Sequence, residues 1–266
     1  MHAAWKKYRY SMVSVLSVAL FIVIWQIYAS ANMEHGWINP KFIPRPTDIL
    51  ETFQTYIADG SLFRHIGVSL MRIGEGFAIG TLLAVALGYI IAKNRLVESI
   101  FTPIINIIGA IPPYAFMPLF IIWFGVGEQS KIILIVVSTF LPLLSYTVQG
   151  IKSIDPIHVR SAMSLGAGGW QVFRCVVFKS ALPSIIAGMK VSVSLSFSAL
   201  IVAEMIGADS GLGYIIVDAR NWFKVSDMFM SMVVIAILSL IIQAILNQLE
   251  KRLFKWKNDG LSAALD

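Results

Sequence analysis

The stretch DPIHVRSAMSLGAGGWQVFRCVVFKSALP, residues 155–183, is a polar interruption between two long apolar runs. Asp155 is a suitable N-cap for a helix, and Pro156 fits the first helical position. Gly166 lies where a left-handed residue would end that helix. These signals predict a short helix over residues 157–165.

A second short helix is predicted after a glycine hinge, from Trp170 to Phe178. Its aromatic and apolar residues fall on one side, and Pro183 is expected to begin the next apolar helix. A folded helix pair of this size is large for a simple connector between two apolar runs. The stretch is therefore predicted to be a docking surface.

The composition is that of a polytopic membrane protein. Of the 266 residues, 57% are hydrophobic and only 14% are charged, and the mean hydropathy is +0.76. The net charge of +6 fits the positive-inside bias of membrane chains better than nucleic-acid binding, since no basic patch with interleaved aromatics occurs. The single cysteine, Cys175, excludes an internal disulfide and a cysteine metal cluster.

Six apolar segments are long enough, at roughly 20 residues each, to cross a bilayer as helices. They lie at residues 12–29, 66–92, 96–126, 132–151, 184–206 and 228–249. Lys and Arg are concentrated in the connections that place both termini and the polar stretch inside the cell.

The prediction is thus a single all-α polytopic membrane domain over residues 1–266. Its cytoplasmic parts are an N-terminus at 1–10, a loop at 152–182 and a tail at 250–266. Four basic residues are expected at the inner end of the last span: Lys251, Arg252, Lys255 and Lys257.

The first apolar run has an alternative interpretation as a signal peptide. Basic residues precede it, and Ala29, Ser30 and Ala31 form a small-residue pattern typical of cleavage sites. The run is longer than a usual signal core, and further spans follow. An uncleaved first helix is therefore favoured.

The segment at 32–64 is predicted to lie outside the membrane on the periplasmic side, with a short amphipathic helix on the outer leaflet. Asp48 is expected to cap this helix in a capping box with Glu51. Its apolar stripe is expected to contain Ile49, Leu50, Phe53, Tyr56 and Ile57. A further outer segment, at 207–226, has turn signals at Asp209–Gly211 and at Gly213.

Two features of the second and third spans have functional or packing interpretations. The second span is rich in glycine, which allows close helix packing in lipid. Arg72 and Glu75 lie one turn apart in this span and are expected to form an ion pair.

The third span is interrupted at Pro112 and Pro113, which predicts a broken helix. Such a break either faces a central pathway or is a packed kink without substrate contact.

The fifth span has small and polar residues on one face. Ser192 and Ser196 suit either a close helix interface or the lining of a pathway. Glu204, near the outer end, is either a pathway carboxylate or a structural one with its hydrogen bonds satisfied; its position near the boundary favours the latter.

Several kinds of site are missing from the sequence. The four histidines are scattered without ligand spacing, so metal binding is not expected. No phosphate-binding loop and no charged relay of a proton-coupled carrier occur. A transporter with a folded dock and no energy source of its own implies that another subunit supplies the work.

The polar stretch resembles the "EAA" loop of the permeases of binding-protein-dependent ABC importers. The matching residues are Ser161, Ala162, Met163, Ser164, Leu165, Gly166, Ala167, Trp170, Phe173, Ala181, Leu182 and Pro183. The family's glutamate position is held by Arg160. Residues 111–132 resemble the nitrate, sulfonate and taurine branch of these permeases, and residues 203–216 match a stretch that the family has at the same place.

The resemblance implies a type I importer permease fold with a cytoplasmic two-helix coupling loop, in a bacterial inner membrane. It implies a homodimer, two ATPase subunits that bind ATP and Mg²⁺, and a periplasmic or lipid-anchored binding protein. The residues expected to contact the ATPase are Arg160, Ser161, Ala162, Leu165, Gly166 and Ala167. Ala162, Gly166 and Ala167 are expected to be small because this contact is close; alternatively they pack the loop on its own membrane domain.

The implied cargo is a small anion such as a sulfonate, taurine or nitrate, although relatives that move vitamin precursors or flavins look much alike. Two rival functions remain at this point. An ion-coupled secondary carrier would transport solute alone. A membrane scaffold protein would transport nothing, and its loop would only recruit a partner.

Overall fold

The computed structural model describes residues 2–254, with their side chains except those of residues 2–11 and 14. Within that range the chain is helical and has no strand. The helices are α1 (His2–His35), α2 (Pro46–Ala58), α3 (Ser61–Lys93), α4 (Arg95–Gly109), α5 (Met117–Phe124), α6 (Glu128–Lys152), α7 (Pro156–Ser164), α8 (Gly169–Val172), α9 (Phe178–Gly207), α10 (Leu212–Asn221) and α11 (Val225–Leu253). Lys255 and Lys257, with most of the predicted tail, lie outside the described residues.

The number of membrane-spanning helices agrees with the sequence prediction. Five helices are long and apolar enough to cross a membrane, and the first of these segments is Val15–His35 within α1. A sixth span is formed if α4 and Pro113–Phe124 are taken together, which are bent by 87° at their junction. The predicted broken helix at Pro112 and Pro113 is therefore confirmed.

The centre of the protein is α6, which packs along both α3 and α9. The glycines of α3 permit this close approach. A Cβ atom on Gly76 would lie 2.6 Å from the Cβ of Ile135, and one on Gly80 would lie 2.7 Å from the Cβ of Thr139. Small residues thus let two backbones meet where lipid provides no hydrophobic driving force.

The amphipathic helix of the segment at 32–64, α2, begins earlier than predicted. Arg45 is the N-cap of α2 and Pro46 follows it, so Asp48 is the third helical residue rather than the cap. The Asp48 carboxylate accepts hydrogen bonds from the Arg45 backbone and guanidinium, which lower the pKa of Asp48. The predicted capping box with Glu51 is therefore wrong.

Helix α2 packs against α11 with part of its predicted stripe. Ile49 is buried, and Phe53 and Tyr56 pack against the same core. Leu50 and Ile57 remain exposed, so the buried stripe is narrower than predicted.

The fifth span is longer than predicted and has no break at Pro183. Helix α8 continues through a π-helical turn, Phe173–Val177, into α9, and Pro183 lies inside α9. Together they form one apolar helical segment, Gly169–Gly207. The second half of the polar stretch is thus an extension of the span, rather than a separate helix.

The outer segment between α9 and α11 contains a helix, α10, that the turn signals at 209–213 did not predict. The predicted pair of Arg72 with Glu75 is also wrong. Glu75 is exposed, whereas Arg72 is buried and forms ion pairs with Glu128 and Glu204. The reason is that Arg72 lies on the face of α3 that is turned toward the protein interior.

Candidate functional site

The polar hairpin, residues 153–177, connects α6 to α9 and contains α7. Its first helix is capped at both ends as the sequence predicts. The carboxylate of Asp155 accepts a hydrogen bond from the backbone N–H of Ile157 at 2.8 Å, and Pro156 occupies the first helical position. Gly166 ends the helix with a φ of +83°, in the left-handed region.

The glycine at 166 has a conformational explanation. A Cβ atom at Gly166 would meet nothing within 4 Å, so the protomer itself leaves space there. The positive φ is the feature that favours glycine, because other residues are strained in that region. The backbone conformation therefore accounts for this residue before any close contact with a partner is invoked.

Helix α7 has two different faces. Val159, which is half-buried, and Met163, which is more exposed, line a cavity of about 510 Å³ together with Tyr89 of α3 and Trp170. The opposite face is exposed and contains residues at helical spacing: Ile157, Arg160, Ser161, Ser164 and Leu165. We call these five residues the outward face of α7.

The outward face contains two large apolar side chains that are well exposed. Ile157 is 60% exposed and Leu165 is 88% exposed. Of the residues predicted to contact an ATPase, three lie here: Arg160, Ser161 and Leu165. Ala162 and Ala167 are half-buried behind it.

The hairpin is attached to the membrane domain through aromatic side chains. The ring centroid of Phe173 lies 4.3 Å from that of Tyr89 on α3 and 5.3 Å from that of Trp170. Val172, beside them, is buried. Because α7 also follows directly from α6, a displacement of α7 has a route both to α6 and to α3.

A second polar site, the outer cluster, lies at the opposite end of the same helices. Arg72 donates hydrogen bonds to Glu204 at 2.8 Å, to the backbone carbonyl of Ser210 at 2.7 Å, and to Glu128 at 2.6 and 2.7 Å. Lys131 pairs with the same Glu128 carboxylate at 2.9 Å. The cluster ties α3, α6 and α9 together.

The outer cluster also caps α10 from other helices. The backbone N–H of Gly211 donates to His65 at 3.0 Å, and that of Leu212 donates to Ser69 at 2.9 Å. The backbone N–H of Gly213 donates to Glu204 at 2.7 Å. These contacts satisfy amides that a helix N-terminus would leave unpaired.

Glu204 is therefore held inside the protomer. Its side chain is fully buried and accepts from Arg72, from Gly213, and from the Ser69 hydroxyl at 2.8 Å. A Cβ atom at position 211 would come within 2.4 Å of this carboxylate. The geometry favours the structural interpretation of Glu204.

The two serines of the fifth span lie in a close helix interface. Ser192 donates to the backbone carbonyl of Thr139 on α6 at 3.1 Å, and Ser196 and Thr139 share a hydroxyl hydrogen bond of 2.7 Å. Both serines are completely buried. Of the two interpretations that the sequence left open, this arrangement favours the interface.

An open groove lies between α4 and α6, beside the break in the third span. Its upper part has a volume of about 380 Å³ and is lined by Pro113, Asn106 and Ser145 among others. Its lower part continues past Thr102 and Gln149 and ends at an ion pair between Glu98 and Lys152. Pro112 is exposed at the bend above it.

Four polar residues of this groove were missed by sequence reasoning. Thr102 and Asn106 lie one turn apart on α4, and Ser145 and Gln149 lie one turn apart on α6. All four are exposed. This repeated spacing of four residues was the available signal in the sequence.

Residues 80–256 match the family described as "Binding-protein-dependent transport system inner membrane component". The chain is 32% identical over 260 residues to the taurine transport system permease protein TauC of Escherichia coli K12, covering 96% of this chain and 93% of TauC. This chain belongs to that family. The permease is thus a multi-pass transport subunit rather than an enzyme.

Further relatives extend the comparison. The permease is 32% identical to a Bacillus subtilis protein, SsuC, whose name assigns it to aliphatic sulfonate transport, over 93% of this chain and 88% of SsuC. It is 31% identical to the riboflavin transport system permease protein RibX of Chloroflexus aurantiacus, over 91% of this chain and 89% of RibX.

Solved structures agree on the fold. A chain of the inward-facing MetNI methionine ABC transporter superposes with a TM-score of 0.63 at 19% identity, covering 72% of the permease and 95% of that chain. An amino acid ABC transporter crystallised with histidines gives a TM-score of 0.61 at 15% identity, covering 75% of the permease and 97% of that chain. The fold is therefore that of type I ABC importer permeases, as predicted.

Proposed function

We propose that the permease forms one half of the translocation path of an ABC importer and is driven through the outward face of α7. A second copy supplies the other half. Two separate ATPase subunits bind ATP and Mg²⁺ and contact this face from the cytoplasm. The observation that supports the proposal most is an exposed face with large apolar side chains on a short helix that follows directly from a membrane span.

The proposed mechanism uses the attachments of the hairpin. ATP binding closes the two ATPase subunits and displaces α7. The displacement reaches α6 through the chain and α3 through the contact of Phe173 with Tyr89. The spans then turn the path outward, where a binding protein releases its solute, and ATP hydrolysis resets the arrangement.

We assign the path to the groove between α4 and α6. Exposed polar side chains such as Asn106 and Gln149 are costly against lipid, so they are expected to face the second copy and a water-filled space. Pro112 and Pro113 stay in the proposed path because they border this groove. Ser192, Ser196 and Glu204 are assigned to the scaffold behind it, since their polar atoms are engaged within the protomer.

For the cargo, we propose a small organic anion of the sulfonate class, such as taurine. Relatives at about a third identity are named for taurine and sulfonate transport. Above the ion pair of Glu98 with Lys152, the groove provides neutral amides and hydroxyls, which donate hydrogen bonds to an oxyanion without a counter-charge that would hold it too tightly. The relative named for riboflavin makes a vitamin-like solute the second candidate.

The proposed setting is the bacterial inner membrane, with both termini and the hairpin in the cytoplasm. The two outer segments, at 32–64 with α2 and at 207–226 with α10, are proposed to face a periplasmic or lipid-anchored binding protein. In the same proposal, residues 1–266 form a single membrane domain.

Reconstitution tests the function. Proteoliposomes with the permease, its ATPase and its binding protein should take up radiolabelled taurine only when ATP is supplied to the ATPase side. The permease alone should show no uptake. Uptake by the permease alone under an ion gradient would identify a secondary carrier, and ATPase binding without any solute movement would identify a scaffold.

A further inference from the structure

The outward face of α7 contains a cation without a counter-ion. Arg160 is exposed, and none of the ion pairs formed between side chains that the structure describes involves it. The nearest acidic residue in the sequence is Asp155, whose carboxylate is engaged as the N-cap of α7. Ile157 lies one turn before Arg160, and the exposed Leu165 lies at the end of the same face, so the face combines a cation with two exposed apolar side chains.

The rest of the hairpin adds to the positive charge. Residues 153–177 contain two arginines, Arg160 and Arg174, against the single carboxylate of Asp155. Lys179 follows immediately after. A partner surface that covers this face therefore meets a positive potential.

The direction of the face indicates a soluble partner rather than lipid. The opposite side of α7, with Val159 and Met163, faces the cavity against α3 and α8. The outward face thus points away from the spans. An occupant must approach from the aqueous side.

We propose that the ATPase surface that receives α7 is acidic, with a carboxylate that pairs with Arg160 and apolar side chains that cover Ile157 and Leu165. This inference rests on the proposed function and adds the chemistry of the partner. Covering a guanidinium without a counter-ion is strongly unfavourable, whereas an Arg–carboxylate pair forms two parallel hydrogen bonds. The charge in this contact also selects the cognate ATPase against one whose groove is basic.

The test measures the affinity of the purified cognate ATPase for the permease in nanodiscs of phosphatidylcholine. Arg160→Glu should weaken binding at least tenfold, and Arg160→Gln should weaken it several-fold. The matched control is Arg174→Glu, also an exposed arginine of the same hairpin but outside the outward face; its affinity should fall far less than that of Arg160→Glu, because Arg174 contributes only to the long-range potential. The affinity of the wild type should fall with added KCl more steeply than that of Arg160→Gln.

Each other outcome overturns a defined part of the proposal. Wild-type affinity in Arg160→Glu, or an equal loss in Arg174→Glu, refutes a specific carboxylate partner. A loss that appears only in nanodiscs with anionic lipid assigns Arg160 to the membrane instead. Failure of the wild-type permease to bind the ATPase at all refutes the proposed function itself.

A charge exchange provides the second measurement. A photoreactive amino acid at position 160 should form an adduct with the ATPase, and the adduct should map beside an Asp or Glu. Replacing that carboxylate with Lys should restore at least half of the affinity lost in Arg160→Glu. An adduct that maps to a segment without acidic residues, or a failure of the Lys variant to restore binding, refutes the inference.

Discussion

Replacing Glu204 with alanine should destabilise the permease far more than removal of another glutamate from its spans. Glu204 is fully buried, and its carboxylate accepts hydrogen bonds from Arg72, Ser69 and the amide of Gly213. The alanine variant removes the partner of a buried cation and an N-terminal cap of α10 in one step. The outer end of the protein should therefore loosen first.

The size of this loss of stability follows from the hydrogen-bond partners that Arg72 and Gly213 keep when the Glu204 carboxylate is removed. Breaking a buried ion pair costs about 3–5 kcal/mol. Arg72 keeps Glu128 and the Ser210 carbonyl, so the lower end of that range applies. The unpaired amide of Gly213 adds about 1 kcal/mol, which gives a loss of about 4 kcal/mol in the free energy of unfolding. Glu204→Gln keeps an acceptor for that amide and should cost about 2 kcal/mol.

Equilibrium unfolding in mixed micelles with increasing SDS measures these values. The control is Glu75→Ala, because Glu75 is exposed on α3 and makes no ion pair among the described residues; it should stay within about 0.5 kcal/mol of the wild type. Hydrogen exchange at Leu212 and Gly213 should accelerate in Glu204→Ala. A loss below about 1 kcal/mol with unchanged exchange would refute the structural assignment of Glu204.

Three further predictions address packing, the hairpin and the path. Gly80→Leu should cost about 1–3 kcal/mol in the free energy of unfolding, because its Cβ atom would overlap Thr139. Gly67→Ala, at a position with open space around it, should be nearly neutral in the same unfolding assay. Equal effects would contradict the proposed α3–α6 packing. Gly166→Ala should strain the end of α7 by about 1 kcal/mol and lower ATP-coupled uptake. Gly166→Asn should retain more uptake than Gly166→Ala, because Asn tolerates a positive φ. The reverse order of uptake would contradict the conformational explanation. Asn106→Leu should reduce uptake several-fold without changing ATPase affinity, with Ile107→Leu as control, and unchanged uptake would remove the groove from the path.

The elements with strong local signals could be predicted from the sequence. Asp155, Pro156 and Gly166 each fix a helix end through their own backbone or side-chain chemistry, and the structure places them as predicted. Apolar length alone located the spans. The resemblance of residues 155–183 to one family loop pointed to the family, which the match over residues 80–256 shows.

The errors arose where tertiary contacts decide the outcome. A proline signal at Pro183 suggested a helix start, but the span continues through it because the preceding π turn joins the two helices. Helix α10 was missed because its N-terminus is capped by Ser69 and Glu204 from distant helices, so no local cap marks it. Arg72 was paired with its sequence neighbour, although the face of α3 on which it lies selects Glu204 and Glu128 instead.

The sidedness of the hairpin is the claim on which the whole account depends, and the native chain contains its own probe. Cys175 is the only cysteine of the sequence, and it is exposed within the hairpin. A membrane-impermeant maleimide should modify Cys175 in inverted membrane vesicles and leave it unmodified in intact spheroplasts. Modification in spheroplasts, with protection in inverted vesicles, would place the hairpin outside the cell and contradict its role as the dock for an ATPase.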